Sequence, residues 1–455
     1  MSKARAVRER GDFKQAATVL NSALANKNLS EAERKQLSYE IDLLERIRKD
    51  FSLTKEQLFS RLEKAVRDIT TAEFEGWLKE GRFENRTIDG TTYYSGTSVS
   101  NLFWRESGVE TRRIFPRDKS AQHRAMLENA RLIKQSATWN KPYVLPHELE
   151  VTMTVTVKSN AVPPGETIRA WLPVPREYPF QDGFKLLESS SLRHLADESS
   201  SIRSAYLEQT SGSNGTKFQI KYLYSTHAIR FEFPPAKMTP KKTTDKSVKQ
   251  FIREAPHVVF TPAIRKLSKE IVGQEKDPVR KARMIYDWIG RNIQYSYALE
   301  YSTIPNISQY CASKGYGDCG QQALLFITLC REQGIPARWQ SGWFLFPGGK
   351  NIHDWTEIYL EPHGWVPVDV EVGGAILQYA TSLTLEERKE LHDFYFGGLD
   401  QYRMIANSDH SQTLNPPKQT FRSDDVDFQR GELEWGNQNL YFDKYSYDLQ
   451  WRKVK

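Results

Sequence analysis

Apolar side chains recur at helical spacing through the first part of the chain. Phe13, Ala16, Ala17, Leu20 and Leu24 share one face, and Leu37, Ile41, Leu44, Ile47 and Phe51 repeat the pattern after a Ser30-x-x-Glu33 capping box. A third helix is predicted from the Thr54-x-x-Gln57 box, burying Leu58, Leu62, Val66 and Ile69, and Asp89-Gly90 reads as a hairpin turn. Over 147–233 the period drops to two: Leu149, Val151, Met153, Val155 and Val157 alternate with polar residues, which predicts a half-buried strand. Turn signals at Pro163-Pro164-Gly165 and Asn214-Gly215 set off further strands at 168–172 and 218–224, so a small antiparallel sandwich is expected. Residues 234–246, rich in Pro, Lys and Thr without an apolar period, form the expected linker.

Helical spacing then returns. Ala282, Ile285, Ile289 and Ile293 line one face behind Pro278, and 319–332 turns Ala323, Phe326, Ile327 and Cys330 inward before Gly334 and Pro336 stop it. Strands are predicted over 338–345, 352–360 and 365–370, the last two joined as a hairpin. The whole reads as an α+β fold in four parts. These are a mainly helical region (1–145), an antiparallel β domain (146–235), a mixed helix and strand domain (236–400) and a C-terminal segment (401–455). That last segment is expected to pack on the mixed domain, because Tyr395, Phe396, Trp435, Tyr441, Phe442 and Trp451 are too apolar to leave in water. The stretch from Phe396 to Arg403 is expected to wall the site described below.

Charge narrows the function little but excludes some classes. The 455 residues carry 64 Lys and Arg against 57 Asp and Glu, a net +7 spread over both signs, and the densest basic run (237–249) falls in the linker, so no nucleic-acid partner is expected. Since no apolar run approaches the roughly 18 residues of a membrane span, none is predicted. No basic leader precedes an apolar stretch near Met1; a soluble protein is expected, with export compatible if a signal segment was trimmed. Three cysteines cannot make a disulfide framework and lack a CxxC pair, so neither metal nor cofactor is expected.

Candidate chemistry centres on Cys319, in Gly317-Asp318-Cys319-Gly320. It opens a helix, where free N–H groups and the macrodipole favour a thiolate and the Cys319 N–H can donate to an oxyanion. Cys330, on the apolar side of that helix, reads as structural. A base for the thiol is available in His353, and Asp369 follows it across the hairpin at a spacing that puts both on one face as a diagonal pair. Strand alternation would turn Asp354 to the opposite face.

The order Gly-Asp-Cys319-Gly, then Gly334-Ile335-Pro336-Ala337-Arg338, His353-x-Trp355-x-Glu357 and Gly364-Trp365-Val366-Pro367-Val368-Asp369 resembles the transglutaminase-like superfamily, a papain-like group of cysteine enzymes. Trp171-Leu172-Pro173-Val174-Pro175 is similar to the β domain that precedes such cores in bacterial relatives. The resemblance implies Cys319 as nucleophile, His353 as base and Asp369 as orienter. Gln294 and Tyr295 are candidates for a second oxyanion donor and, with Trp355, for substrate binding. The chain departs from the family at Val370-Glu371, where many members have Pro-Thr. It also lacks the zinc cysteines of the peptide-N-glycanase branch and the acidic calcium loops of the animal cross-linking enzymes. The expected function is acyl transfer from a protein, peptide or glycan-linked substrate, first to water. Cross-linking to an amine is one alternative. Carbohydrate hydrolysis or binding by Asp354, Glu357, Asp369 and Glu371 among aromatics is the other.

Overall fold

The computed structural model describes residues 1–234 and 246–455; the expected linker lies almost wholly outside them. The described residues form two compact units, Met1–Asp118 with Tyr295–Pro305, and Lys119–Gln294 with Asn306–Lys455.

In the first unit, the helices Phe13–Leu24 and Glu31–Asp50 pack Phe13, Ala16, Leu20, Leu37, Leu44 and Ile47 into one core. Both expected capping boxes form, Ser30 with Glu33 and Thr54 with Gln57. The strands Asn85–Ile88 and Thr91–Ser95 make the hairpin, and Asp89 and Gly90 both take positive φ, 50° and 84°, as a tight two-residue turn requires. Tyr295–Pro305, although it comes from far along the chain, belongs here. Asn101 accepts the Tyr297 N–H at 2.8 Å and donates to the Tyr297 carbonyl at 3.0 Å, while Asp50 accepts the Glu300 N–H at 3.1 Å.

The second unit begins at Lys119, short of the expected boundary at 145. The helix Ser120–Ser136 lies in it because Met126, Leu127, Ala130 and Ile133 share a core with Phe344, Ile376, Leu391 and Phe394. Its β part is built of two five-stranded sheets. One holds the long antiparallel pair Tyr143–Val157 and Thr216–Arg230, and the other is centred on Thr167–Pro173. Inward residues Leu149, Val151, Met153 and Val155 meet Ile168, Ala170 and Leu172, as the period of two dictates, but the same core continues into Trp343, Leu345, Met404 and Ala406. One continuous apolar core explains why the expected β and mixed domains cluster as a single unit.

A four-stranded antiparallel sheet carries the candidate chemistry, in the order Gly364–Val368, Asn351–Leu360, Ala337–Phe344 and Arg403–Asn407. The C-terminal segment packs across this whole unit. It supplies the fourth strand here, Glu432–Trp435 pairs with Thr167–Pro173, and Tyr445–Lys453 pairs with Tyr143–Val157. No helix among the described residues is long and apolar enough to cross a membrane.

Candidate active site

Cys319 is the first residue of the helix Cys319–Glu332, and Asp318 caps it by accepting the Gln321 N–H at 3.1 Å while the Gln321 side chain returns to the Asp318 N–H. Gly317 must be glycine, since a Cβ there would meet Gln321 and come within 3.0 Å of Cys311 Sγ. Cys319 as a residue is of intermediate exposure, its sulfur turned inward, whereas Cys311 and Cys330 are buried throughout.

His353 lies on the strand Asn351–Leu360, opposite Gly342. A side chain at Gly342 would collide with the Met404 carbonyl, so the neighbouring strand closes up tightly behind the histidine. Pairing of Thr356 with Val368 ends the hairpin one residue before Asp369, which starts the helix Val370–Tyr379. Asp369 therefore has two tasks. Its Oδ1 caps that helix by accepting the Val372 N–H at 3.1 Å, and its Oδ2 lies 2.9 Å from His353 Nε2. With Nε2 so engaged, Nδ1 is the nitrogen left to accept a proton; it lies 3.9 Å from Glu371 Oε2.

Burial alone would raise the Asp369 carboxyl, but His353 and Arg403 outweigh it and hold it below the ordinary carboxylate range. Arg403 is itself buried, with Nη1 2.8 Å from Asp369 and Nη2 2.9 Å from Asp400. It comes from the segment expected to wall the site.

Asp354 departs from expectation. Its contacts do diverge from those of His353, which packs against Phe344 and stacks on Trp355. Yet the Cys319 thiol donates to Asp354 Oδ2 at 3.4 Å, so Asp354 is in contact with the sulfur. Residues 424–430 close the far side, with Gln429 Nε2 donating to the His353 carbonyl at 2.9 Å and to Asp354 Oδ1 at 2.7 Å.

The thiol also reverses the expected direction. Burial first, then Asp354, Asp318 and Glu371, push it well above its ordinary value, and the Asp354 N–H pulls only weakly the other way. The residue that caps the helix is responsible for part of this, because a carboxylate at the N-terminus offsets the dipole that would have favoured a thiolate. These surroundings favour the neutral thiol over the thiolate.

The profile of the Transglutaminase-like superfamily matches residues 265–370. That stretch is a transglutaminase-like core. An uncharacterised protein of Haemophilus influenzae is 24% identical over 185 residues, 35% of this chain and 50% of its own length. Uncharacterised protein YebA of Bacillus subtilis is 26% identical over 129 residues, 24% of this chain and 17% of its own length. The chain spans half or less of the length of these curated relatives. Among solved structures, a proposed cysteine protease from Cytophaga hutchinsonii is similar at TM-score 0.43 and 15% identity, covering 69% of this chain and 92% of that one. The periplasmic domain of TgpA from Pseudomonas aeruginosa is similar at 0.29 and 14%, covering 56% and 94%.

The other expected residues have contacts of their own. Trp355 is 1% exposed, its ring stacked on His353 with the Arg403 guanidinium 5.2 Å from its centre. The Gln294 N–H bonds the Gly315 carbonyl at 2.9 Å. Tyr295 packs edge-on against Trp104 in the first unit. Glu357 is committed to Arg338 and Gln340. Among the described residues no cluster of three His, Cys, Asp or Glu is placed to hold a metal. Sequence reasoning missed Asp427 and Gln429, which lie in an irregular segment with no periodic signal.

Proposed function

We propose that this chain is a cysteine hydrolase that cleaves an amide or peptide bond through a thioester on Cys319, with His353 as base and Asp369 as its orienter. The single observation that carries this reading is the buried 2.9 Å contact of His353 Nε2 with Asp369, which leaves Nδ1 as the nitrogen to act as base for the cysteine that opens the helix. His353 Nδ1 takes the thiol proton and the sulfur attacks the carbonyl carbon. As the tetrahedral intermediate collapses, the imidazolium returns that proton to the leaving amine. Asp369 stabilises the imidazolium between these steps. The Cys319 N–H, at the first helical position, has no acceptor within its own helix and suits an oxyanion. A water, deprotonated by the same nitrogen, then releases the acid and restores the thiol.

Transfer to an amine instead of water would require the acceptor to outcompete ~55 M water in a dry channel. Against the carbohydrate alternative stands the neutralisation of two of its four carboxylates, Glu357 by Arg338 and Asp369 by Arg403. The test is a panel of fluorogenic peptide amides assayed with and without a labelled primary amine, using the parent chain and Cys319→Ala. Amide release by the parent alone, with a covalent adduct mapped to Cys319, is expected. Equal release by Cys319→Ala would overturn the reading, and label incorporation would move it to cross-linking.

A further inference from the structure

We propose that Asp354 holds the proton of Cys319 in the resting site, and that the reaction starts when the S–H turns from Asp354 to His353. This rests on Cys319 being the nucleophile. The contact is direct, since Cys319 Sγ donates to Asp354 Oδ2 at 3.4 Å. Asp354 is 3% exposed, so water does not compete for that position.

Gln429 sets the carboxyl for this contact. Its Nε2 donates to Asp354 Oδ1 at 2.7 Å and to the His353 carbonyl at 2.9 Å, which ties the side chain to its own strand and leaves Oδ2 as the oxygen that meets the sulfur. On that strand Asp354 lies opposite Ser341 and His353 opposite Gly342, so the two side chains serve different faces. A thiol has one proton to donate. While Asp354 accepts it, His353 Nδ1 does not, and that nitrogen lies 3.9 Å from Glu371 Oε2.

The charges that act most strongly on this contact are acidic. Burial first, and then Asp354, Asp318 and Glu371, push the thiol up. Burial first, and then Asp427, Asp318 and Asp424, push the Asp354 carboxyl up, and its bond with the thiol acts against them. Neutral thiol and carboxylate therefore support each other at rest, whereas a thiolate would meet the same carboxylate as a repulsion. To react, the S–H···Oδ2 hydrogen bond breaks and the S–H turns about the Cβ–Sγ bond to His353 Nδ1. The proton then passes to that nitrogen and its electron pair stays on the sulfur, while Asp354 neither gains nor loses a proton. The effect is to keep the resting thiol a poor nucleophile toward small electrophiles and oxidants, which react with the thiolate.

The test is the pH dependence of iodoacetamide alkylation at Cys319 in the full chain, located by peptide mass mapping. In Asp354→Asn the side-chain oxygen still accepts the Gln429 amide, so an N–H takes the place of Oδ2 and a donor replaces the acceptor at the sulfur. Alkylation near neutral pH should speed up by about tenfold or more, and its midpoint should fall by at least about one pH unit. Cys311 and Cys330 should stay unreactive, which separates this gain from general loosening of the fold. An unmoved or raised midpoint at Cys319 overturns the proposal. A second measurement leaves Asp354 in place and decides the matter if Asp354→Asn does not fold. The S–H stretch of Cys319, identified as the Raman band lost on alkylation, should lie below that of a simple thiol in hydrocarbon solvent, and should stay low in His353→Ala, which removes the other acceptor. A band at the free-thiol position in either protein also overturns the proposal. A parent chain that alkylates at Cys311 or Cys330 and never at Cys319 would defeat the nucleophile assignment itself, a failure visible before any variant is made.

Discussion

Arg403 and His353 meet the same oxygen of Asp369, at 2.8 and 2.9 Å. The carboxylate thus works in two directions. It orients the imidazole that moves the proton, and it neutralises a buried guanidinium that also binds Asp400. Against burial, His353 and then Arg403 hold the Asp369 carboxyl below the ordinary range, while the helix cap at Val372 fixes the rotation of its side chain.

Removing the cation should therefore be costly to the fold. Arg403→Met leaves Asp369 and Asp400 without their buried partner, and a loss of about 3–5 kcal/mol in urea unfolding is expected. A loss under about 1 kcal/mol would show that water reaches these groups.

Asp369→Asn tests the orienter separately. The amide can still cap Val372 and leaves Arg403 its contacts with Asp400, so folding should survive. Turnover of the peptide amide should fall by roughly 10³ to 10⁴ with little change in KM, because the amide cannot support an imidazolium. Turnover within a few-fold of the parent would remove Asp369 from the mechanism.

Glu371 gives the site a pH-dependent stability. Burial first, with Asp369 and Asp318 acting in the same direction and His353 and Lys119 against, raises its carboxyl to about 7. A raised acid keeps in the folded state a proton that the unfolded chain gives up. Its contribution should therefore make stability fall as pH rises from about 4.5 to about 7 and level off above, by up to about 3 kcal/mol. Glu371→Gln should flatten that slope and be the more stable protein above the window, as urea midpoints over a pH series would reveal. An unchanged slope would mean that Glu371 ionises normally.

Asn101→Ala should loosen residues 295–305. Both hydrogen bonds to Tyr297 would be lost, and a local cost of about 1–3 kcal/mol is expected. Faster amide hydrogen exchange confined to peptides of that loop is the expected result; uniform exchange across the first unit would indicate general destabilisation instead.

Much of this fold could be read from residue order because its information is local. Capping boxes, the Asp89-Gly90 turn and the alternation from Leu149 to Val157 all report on neighbours a few residues apart. His353 and Asp369 meet because hairpin register is also local. Arg403 was legible only as part of a segment expected near the site. Asp427 and Gln429 come from irregular backbone, and nothing in residue order says which strand such a loop covers. The contact of Asp354 with Cys319 was not legible for a different reason. Alternation fixes the face to which a side chain points, but it does not say where the tip of a helix comes to rest, and the sulfur comes to rest against Asp354 Oδ2.

The site is also spread along the order of synthesis. A ribosome that has released Cys319, His353 and Asp369 has still to deliver Arg403, then Asp427 and Gln429, and finally the strand Tyr445–Lys453 that pairs with Tyr143–Val157. During that interval the nascent chain carries a cysteine without its complete surroundings and a sheet without its outer strand.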